Sequence, residues 1–175
     1  ASSLTKISND LRWMNSGPVS GLSEITLKPL QPGSSIMPGK INPVIPEAVL
    51  MAMAQVTGHH SAINIACISG NFQLNTMLPL ISKNIIESFN LLINSVYSLA
   101  DTIDTFKVNK KNIQLNLEKN PIIATKLNET IGYDLASKIV KEAYKTNKSI
   151  IDITEEKTNL TRSQILKLLD PKKLI

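Results

Sequence analysis

A long stretch with almost no charge constrains the fold of this chain more than any other feature of its sequence. After Glu47, the next formally charged residue is Lys83, if histidine is taken as neutral. The apolar run from Pro43 to about Ser69 predicts one long helix, because proline is well tolerated in a first turn, where the N–H group has no partner. Asn42, just before this run, is a suitable N-cap residue. A helix that is apolar on nearly all sides must be surrounded by other elements.

The same stretch is not predicted to cross a membrane. Polar residues and a glycine interrupt it too often for a comfortable span; they are Gln55, Gly58, His59, His60, Ser61 and Asn64. A second long helix is predicted over residues 76–106, after a break at Gly70 and Asn71. Two such helices cannot bury each other on all sides, so we expect the chain to be a component of an oligomer or to pack against a further segment.

The remaining pattern predicts an all-α chain of two parts. Apolar residues at three- and four-residue spacing predict a helix over 2–15, and a loop rich in Gly and Pro follows, with room for a helical turn at 22–25. We predict that residues 1–106 form part of a long-helix bundle, including the serine loop 28–46, and that 107–175 form a small separate helical domain. The shorter helices of this second part are predicted at 109–118, 121–127, 132–146 and 161–169, the last opening with the capping-box pattern of Thr161 and Gln164.

Amino-acid composition indicates which kinds of partner and which cellular compartment to expect for this chain. The net charge is +5, and Arg occurs only at Arg12 and Arg162. Nucleic-acid sites usually combine Arg with stacking aromatics, which are not clustered here, so nucleic acid is not expected. The single cysteine, Cys67, is predicted to be a small core residue of a protein in a reducing compartment, either cytoplasmic or, in a eukaryote, the mitochondrial matrix. The N-terminal sequence lacks the pattern of a signal peptide and resembles the end of a helix, so we expect the chain to begin within a longer polypeptide.

The densest group of small polar residues lies in the loop QPGSSIMPGKINPVIPE, residues 31–47. Glycine and proline indicate irregular backbone, but Ile36 and Met37 are apolar, so the loop is not a plain solvated linker. It is either a tight structural crossing or a mobile functional loop. Taken alone, a Ser-Ser pair in a loop is usually solvated. Lys40 would then be an ordinary surface lysine, and Glu47 a first-turn carboxylate that interacts favourably with the helix dipole.

Four segments in order change that interpretation: SLTKISNDLRWMNSGP, GSSIMPGKINPVIPEAV, GNFQLN and IGYD. Together they resemble class II fumarase, of the fumarase/aspartase superfamily, in its C-terminal portion only. The resemblance implies a lyase that reversibly hydrates fumarate to (S)-malate in the tricarboxylic acid cycle, without a metal or an organic cofactor. It also implies a homotetramer, a bundle that is only part of the family's central domain, and a small C-terminal helical domain.

The resemblance assigns roles to residues of the serine loop. Ser34 is expected to be the catalytic base, with its alkoxide stabilised by loop N–H groups near Gly33 and Ser35 and by a nearby ammonium group. Lys40 and Asn42 match the residues that bind the substrate carboxylate, the first as a point charge and the second as a directional donor.

Three further roles complete the set that the resemblance implies. Glu47 matches the glutamate that pairs with the family's catalytic histidine, which lies in a preceding segment. Ser35 is expected to support substrate binding. Gly33 and Gly39 are expected to act as hinges that let the loop close over the substrate.

The resemblance also has departures. The family's Ser-Ser-Asn-Asp and Thr-His motifs are not in this chain, so we expect a fragment or one half of a split enzyme that is inactive alone. The segment NPVIPE also resembles aspartate ammonia-lyase, Gln73 stands where fumarases often have Glu, and Val19 replaces a common Arg. Arg12-Trp-Met, Gly70-Asn-Phe and Ile131-Gly-Tyr-Asp favour fumarase. A non-catalytic fragment or assembly subunit is the remaining alternative.

A metal site is not expected. His59 and His60 are adjacent, so on a helix they point about 100° apart, and no third ligand is in view. They are predicted to be polar residues on a bundle helix, at a subunit contact.

Overall fold

The structure is a computed structural model, and it describes residues 1–170 except for the side chain of Lys119. Helices dominate these residues and the only strands among them are two of two residues each, so the predicted all-α class is confirmed. Two compact units can be separated: an N-terminal unit, Ala1–Asn109, and a C-terminal unit that begins at Lys110. None of the helices within the described part is long and apolar enough to cross a membrane.

Three helices form most of the N-terminal unit: α1 (Ser2–Met14), α2 (Val44–Ile68) and α3 (Leu78–Thr105). All three agree with the predicted ranges to within two residues. Helix α2 packs against α1 and α3. The core of the unit lies where the three helices meet the loop that precedes α2, and its buried members are Leu11, Ile25, Leu27, Val49, Met53 and Leu99.

One prediction about the start of α2 is wrong. The N-cap residue is Pro43 and not Asn42, and no side chain caps this end. The side-chain amide of Asn42 donates instead within the serine loop, to the carbonyl oxygen of Gly33 over 2.9 Å. The Asn42 side chain therefore bonds across its own loop and not at the helix end, where sequence alone places it.

Helix α2 is not surrounded by the elements that the structure describes. Ile65 and Ile68 are exposed on α2, and Phe89 and Tyr97 are exposed on α3. Cys67 is also exposed, so its predicted core position is wrong. The C-terminal half of α2 carries apolar side chains on more sides than its two neighbouring helices cover.

A small sheet fixes the segment between α1 and the serine loop. The helical turn predicted at 22–25 is wrong. Strand β1 (Ile25–Thr26) pairs antiparallel with β2 (Lys107–Val108). Asn109 extends the pairing, because its side-chain amide donates to the carbonyl oxygen of Ser23 over 3.0 Å. The backbone N–H of Leu27 donates to Oδ1 of Asn15 over 2.9 Å. These contacts set where the serine loop leaves the bundle.

The C-terminal unit builds a core of its own from short helices. The capping box of Thr161 and Gln164 is present as predicted. The segment 121–126 is a 3₁₀ helix instead of the start of an α-helix, and a helix over 150–157 was not predicted. The elements are α4 (Lys110–Lys119), the 3₁₀ helix Pro121–Lys126, α5 (Leu127–Ile131), α6 (Tyr133–Thr146), α7 (Ile150–Lys157) and α8 (Arg162–Leu168). Eleven buried residues form the core: Ile123, Ala124, Leu127, Ala136, Ile139, Ala143, Ile150, Ile151, Ile153, Ile165 and Leu169.

Candidate functional site

The serine loop is closed at its base by backbone contacts. The N–H of Gly33 donates to the carbonyl oxygen of Lys40 over 2.8 Å, which draws residues 33–40 into a compact turn. A side chain at Gly33 would not fit, because a Cβ atom there would lie 2.5 Å from the carbonyl oxygen of Lys40. Gly39 has a φ of +78° and open space around it, so glycine is favoured at this position by conformation alone. The hinge role of both glycines stays a prediction.

Two backbone N–H groups converge on the side chain of Ser34. Those of Ile36 and Met37 donate to Ser34 Oγ over 3.2 and 3.3 Å. They lie one and two residues beyond Ser35, because the chain turns back over the serine hydroxyl. Hydrogen bonds to an oxygen stabilise negative charge on it, so these two donors are placed to stabilise an alkoxide if one forms at Ser34.

Ser34 and Lys40 line the same concave surface. Its volume is about 490 Å³, and Met37 and Ile41 contribute apolar lining. The side chain of Lys40 is exposed, and no carboxylate among the described residues pairs with its ammonium group. The surface therefore combines an oxygen poised to hold charge with a cation that is free to meet an anionic ligand.

Gly39 also lines this surface, but Asn42, Ser35 and Glu47 do not. Asn42 lines a second cavity of about 400 Å³ with Lys28 and the last turns of α3, where Asp101 and Asp104 lie. Ser35 is exposed and lines neither cavity.

Glu47 lies in the first turn of α2 and is half-buried. Within residues 1–170, the carboxylate of Glu47 has no hydrogen-bond or ion-pair partner. A half-buried carboxylate without a partner is costly, so this group is suited to a contact from outside the chain.

The two adjacent histidines have separate environments. His59 is buried, with Nδ1 3.0 Å from Ser88 Oγ and Nε2 2.9 Å from the amide nitrogen of Gln55. The only hydrogen-bond partner of the His60 ring in the part of the chain that the structure describes is the Asn64 amide, over 3.2 Å. Across the described residues, no three His, Cys, Asp or Glu side chains are grouped so as to hold a metal ion. A subunit contact at these histidines stays a prediction.

Sequence reasoning missed the residues that anchor the loop. Asn15 and Asn109 hold the segment that leads into it, through partners 12 and 86 positions away. Asparagine at a helix end or beside a strand is common in loops, so no local signal distinguishes these two.

Two known protein families match this chain, one near its start and one near its end. A family described as Lyase matches residues 1–58, and one described as Fumarase C C-terminus matches residues 123–175. A class II fumarate hydratase from Xylella fastidiosa (strain Temecula1) is 54% identical over 172 residues, which are 98% of this chain and 36% of the relative. The chain thus spans about a third of the length of that relative.

Solved structures agree with the sequence matches. A fumarate lyase:delta crystallin from Brucella melitensis bound to cobalt superposes with a TM-score of 0.93 at 40% identity, covering 99% of this chain and 38% of that one. Class II fumarase from Schistosoma mansoni gives a TM-score of 0.84 at 35% identity, covering 98% and 36%. The order of the motifs, the helical fold and these similarities lead to one conclusion: the chain belongs to the class II fumarase family and corresponds to its C-terminal portion.

Proposed function

We propose that this chain supplies the serine loop of a fumarate hydratase, a lyase that reversibly hydrates fumarate to (S)-malate. One observation carries the proposal: Ser34 Oγ accepts two backbone N–H groups on a surface that it shares with Lys40, whose ammonium group pairs with no carboxylate of the described residues. The relative at 54% identity is named a class II fumarate hydratase. The site assignments below rest on this geometry together with the family resemblance.

In the direction of dehydration, the reaction begins with removal of a proton from the carbon next to a carboxylate of malate. Ser34 takes that proton at Oγ, and the electron pair of the broken C–H bond moves into the carboxylate. Ser34 Oγ must first give up its own proton to solvent; the two N–H groups then stabilise it as an alkoxide, and the Lys40 ammonium offsets charge that develops on the substrate. A general acid from a segment outside this chain then supplies a second proton to the hydroxyl on the neighbouring carbon, which leaves as water as the double bond of fumarate forms.

Glu47 is proposed to pair with a histidine from a polypeptide segment outside this chain. Its half-buried carboxylate without a described partner supports that role. A carboxylate orients an imidazole and favours its protonated form, which matches general acid–base work. Asn42 and Ser35 are proposed to contact the substrate carboxylates once the loop closes.

The chain is proposed to work within a larger assembly. Residues 1–106 would be part of the central helical bundle and 107–175 the small C-terminal domain, and the compact division after Asn109 supports that arrangement. The exposed apolar side chains of α2 and α3 support packing against an N-terminal portion, or a split-subunit partner, and against other copies in a homotetramer. The proposed compartment is the cytoplasm, or the mitochondrial matrix in a eukaryote, because a lone thiol suits a reducing environment.

The test is fumarate absorbance over time in ammonia-free buffer, with this chain assembled with the N-terminal portion of a class II fumarase. We expect fumarate to disappear as malate forms, and Ser34→Ala to remove the activity. The matched control is Ser3→Ala, which makes the same chemical change at an exposed position of α1, far along the sequence from the loop. This control variant should keep full activity.

Three outcomes would contradict the proposal in different ways. Turnover that begins only when ammonium is added would indicate an aspartate ammonia-lyase. No turnover under either condition, in a mixture shown to assemble, would leave a non-catalytic fragment or assembly subunit. Near-full activity in Ser34→Ala would remove Ser34 from the role of base.

A further inference from the structure

The peptide group that precedes Ser34 is held by a side chain from the other end of the loop. The Asn42 amide nitrogen donates to the Gly33 carbonyl oxygen over 2.9 Å. The Gly33 N–H donates to the Lys40 carbonyl oxygen over 2.8 Å. We call these two hydrogen bonds the clasp. They hold both polar groups of the Gly33 backbone and close residues 33–42 into a ring.

The clasp acts directly on the backbone of Ser34. The Gly33 carbonyl and the Ser34 N–H belong to one planar peptide unit, so fixing the oxygen fixes the plane from which Ser34 Cα departs. The position of Ser34 Oγ against the Ile36 and Met37 N–H groups depends on that plane. An unclasped Gly33 would leave the serine free to turn away from both donors.

Asn42 connects the base of the serine loop to the ordered start of helix α2. Its own carbonyl oxygen accepts the N–H of Val44 over 2.9 Å, at the first residue of α2. Pro43 follows directly and restricts the backbone between them. The side chain is half-buried, so its hydrogen bond is partly protected from water. The clasp thus ties the base of an exposed loop to the start of a 25-residue helix.

We propose that Asn42 is a positioning residue for Ser34, acting through the Gly33 carbonyl before any substrate arrives. This role adds to the proposed carboxylate contact, and it rests on the proposed function only for its kinetic consequence. Asparagine suits the role because its amide donates while lacking charge. An ionised Asp at this position has no donor and repels the carbonyl oxygen.

The first test is hydrogen exchange of the 33–37 backbone amides, followed by mass spectrometry of overlapping peptides in the assembled, substrate-free enzyme. Asn42→Asp and Asn42→Ala are expected to speed exchange in this window roughly two- to tenfold, the loss of one net hydrogen bond. Asn116→Asp is the matched control, since it makes the same chemical change at an exposed position of α4. Unchanged exchange in both Asn42 variants would overturn the proposal.

An independent variant breaks the same clasp from its other side. Gly33→Ala places a Cβ atom 2.5 Å from the Lys40 carbonyl oxygen and should open the ring while leaving Asn42 intact. We expect the same exchange pattern as in the Asn42 variants. Circular dichroism and assembly size check that each variant is folded. Faster exchange of the 33–37 amides in the variants, with unchanged exchange in the rest of the chain, would support the clasp.

Kinetics separate positioning from simple substrate contact. We expect Asn42→Ala to lower kcat at saturating fumarate about tenfold or more, because a misplaced base slows the chemical step. A rise in KM with unchanged kcat would make Asn42 a substrate contact only and overturn the proposal. A wild type without fumarase activity would refute the proposed function, while the exchange experiment would still decide whether the clasp orders the loop.

Discussion

The two units of the chain treat their apolar side chains differently. In the C-terminal unit, Ile139, Ile153 and Ile165 are no more than 1% exposed, although its helices are short. In the N-terminal unit, the longest helix, α3, leaves Phe89 61% and Tyr97 71% exposed. Long helices therefore do not by themselves make a closed core. Closure depends on having neighbours on every apolar side.

This difference in packing indicates which unit carries the proposed site and which has the closed core. The serine loop extends from the open unit, with little packing to constrain it, and it gains order from hydrogen bonds to its own backbone. Loops that carry function are commonly held by a rigid scaffold in this way. The closed unit contains none of the proposed site residues, so we expect its substitutions to change stability and those of the loop to change turnover.

The largest expected effect is that of Ser34→Ala in the assembled enzyme. Removing the base should lower kcat about 10²- to 10⁴-fold, the usual contribution of a positioned acid or base. Assembly and melting temperature should change little, because Ser34 belongs to neither core. Steady-state kinetics measures kcat, and size-exclusion chromatography measures assembly. A variant that fails to assemble would show that the loop is structural, and the division between the units would fail with it.

A matched pair of isoleucines tests the difference in packing. Ile153→Ala removes a side chain that is 1% exposed in the C-terminal unit and should lower the free energy of unfolding by about 2–5 kcal/mol. Ile93→Ala alters a side chain that is 50% exposed on α3 and should change it by less than about 0.5 kcal/mol in the isolated chain. Urea unfolding followed by circular dichroism measures both.

The same pair should reverse its order in an assembly assay. If the α3 face packs against a partner, Ile93→Ala should weaken association, while Ile153→Ala should leave it unchanged at temperatures where the chain is folded. Equal destabilisation of the isolated chain by both variants would mean that α3 is covered in solution, which would remove the contrast between the units.

A smaller effect is expected inside the core of the N-terminal unit. Ser8 on α1 is fully buried, and its hydroxyl has no hydrogen-bond partner among the described residues. Ser8→Ala should therefore stabilise the chain by about 1 kcal/mol, because an unsatisfied buried hydroxyl is lost and alanine favours helix. Urea unfolding followed by circular dichroism measures the change.

Ser3→Ala is the control, because Ser3 lies exposed on the same helix and tests helix propensity alone. Its effect should stay within about 0.5 kcal/mol. Destabilisation by Ser8→Ala would mean that the hydroxyl is needed, and a partner beyond the described residues would then be the first place to look.

The helices were largely predictable from the sequence because their signals are local. Apolar spacing and Gly–Asn or Gly–Pro breaks placed the long helices to within two residues. Helix α7 was missed because four of its eight residues are charged, which obscures the apolar pattern. Its one clear signal is Ser149, whose hydroxyl accepts the N–H of Asp152 as an N-cap.

The site was less predictable because its contacts are not local. Residue types identified Ser34 and Lys40 as candidates, but only the fold shows that they line one surface. Asn42 satisfies the sequence rule for an N-cap and yet bonds Gly33, nine positions earlier. Whether the Asn42 side chain caps the helix through its oxygen or donates through its amide to Gly33 is decided by how the loop turns, and no spacing rule records it.

The smallest expected effect concerns acid stability, and the two arginines of the chain provide a matched test. Hydrogen bonding by Ser149 and then the guanidinium of Arg162, 2.9 Å away, hold the pKa of Asp152 below its ordinary value. A carboxyl group whose pKa is lowered by folding stabilises the folded state above its ordinary pKa, and this stabilisation is lost as the pH falls through the folded value. Arg162→Gln should therefore lower the melting temperature slightly at pH 7 and hardly at all near pH 2, with salt reducing the difference. Arg12→Gln should show no such pH dependence, because Arg12 contacts only the neutral Asn9 side chain among the described residues. If both variants behaved alike across this pH range, the charge network of the C-terminal unit would contribute nothing to its stability, and its packed core alone would account for the difference between the two units.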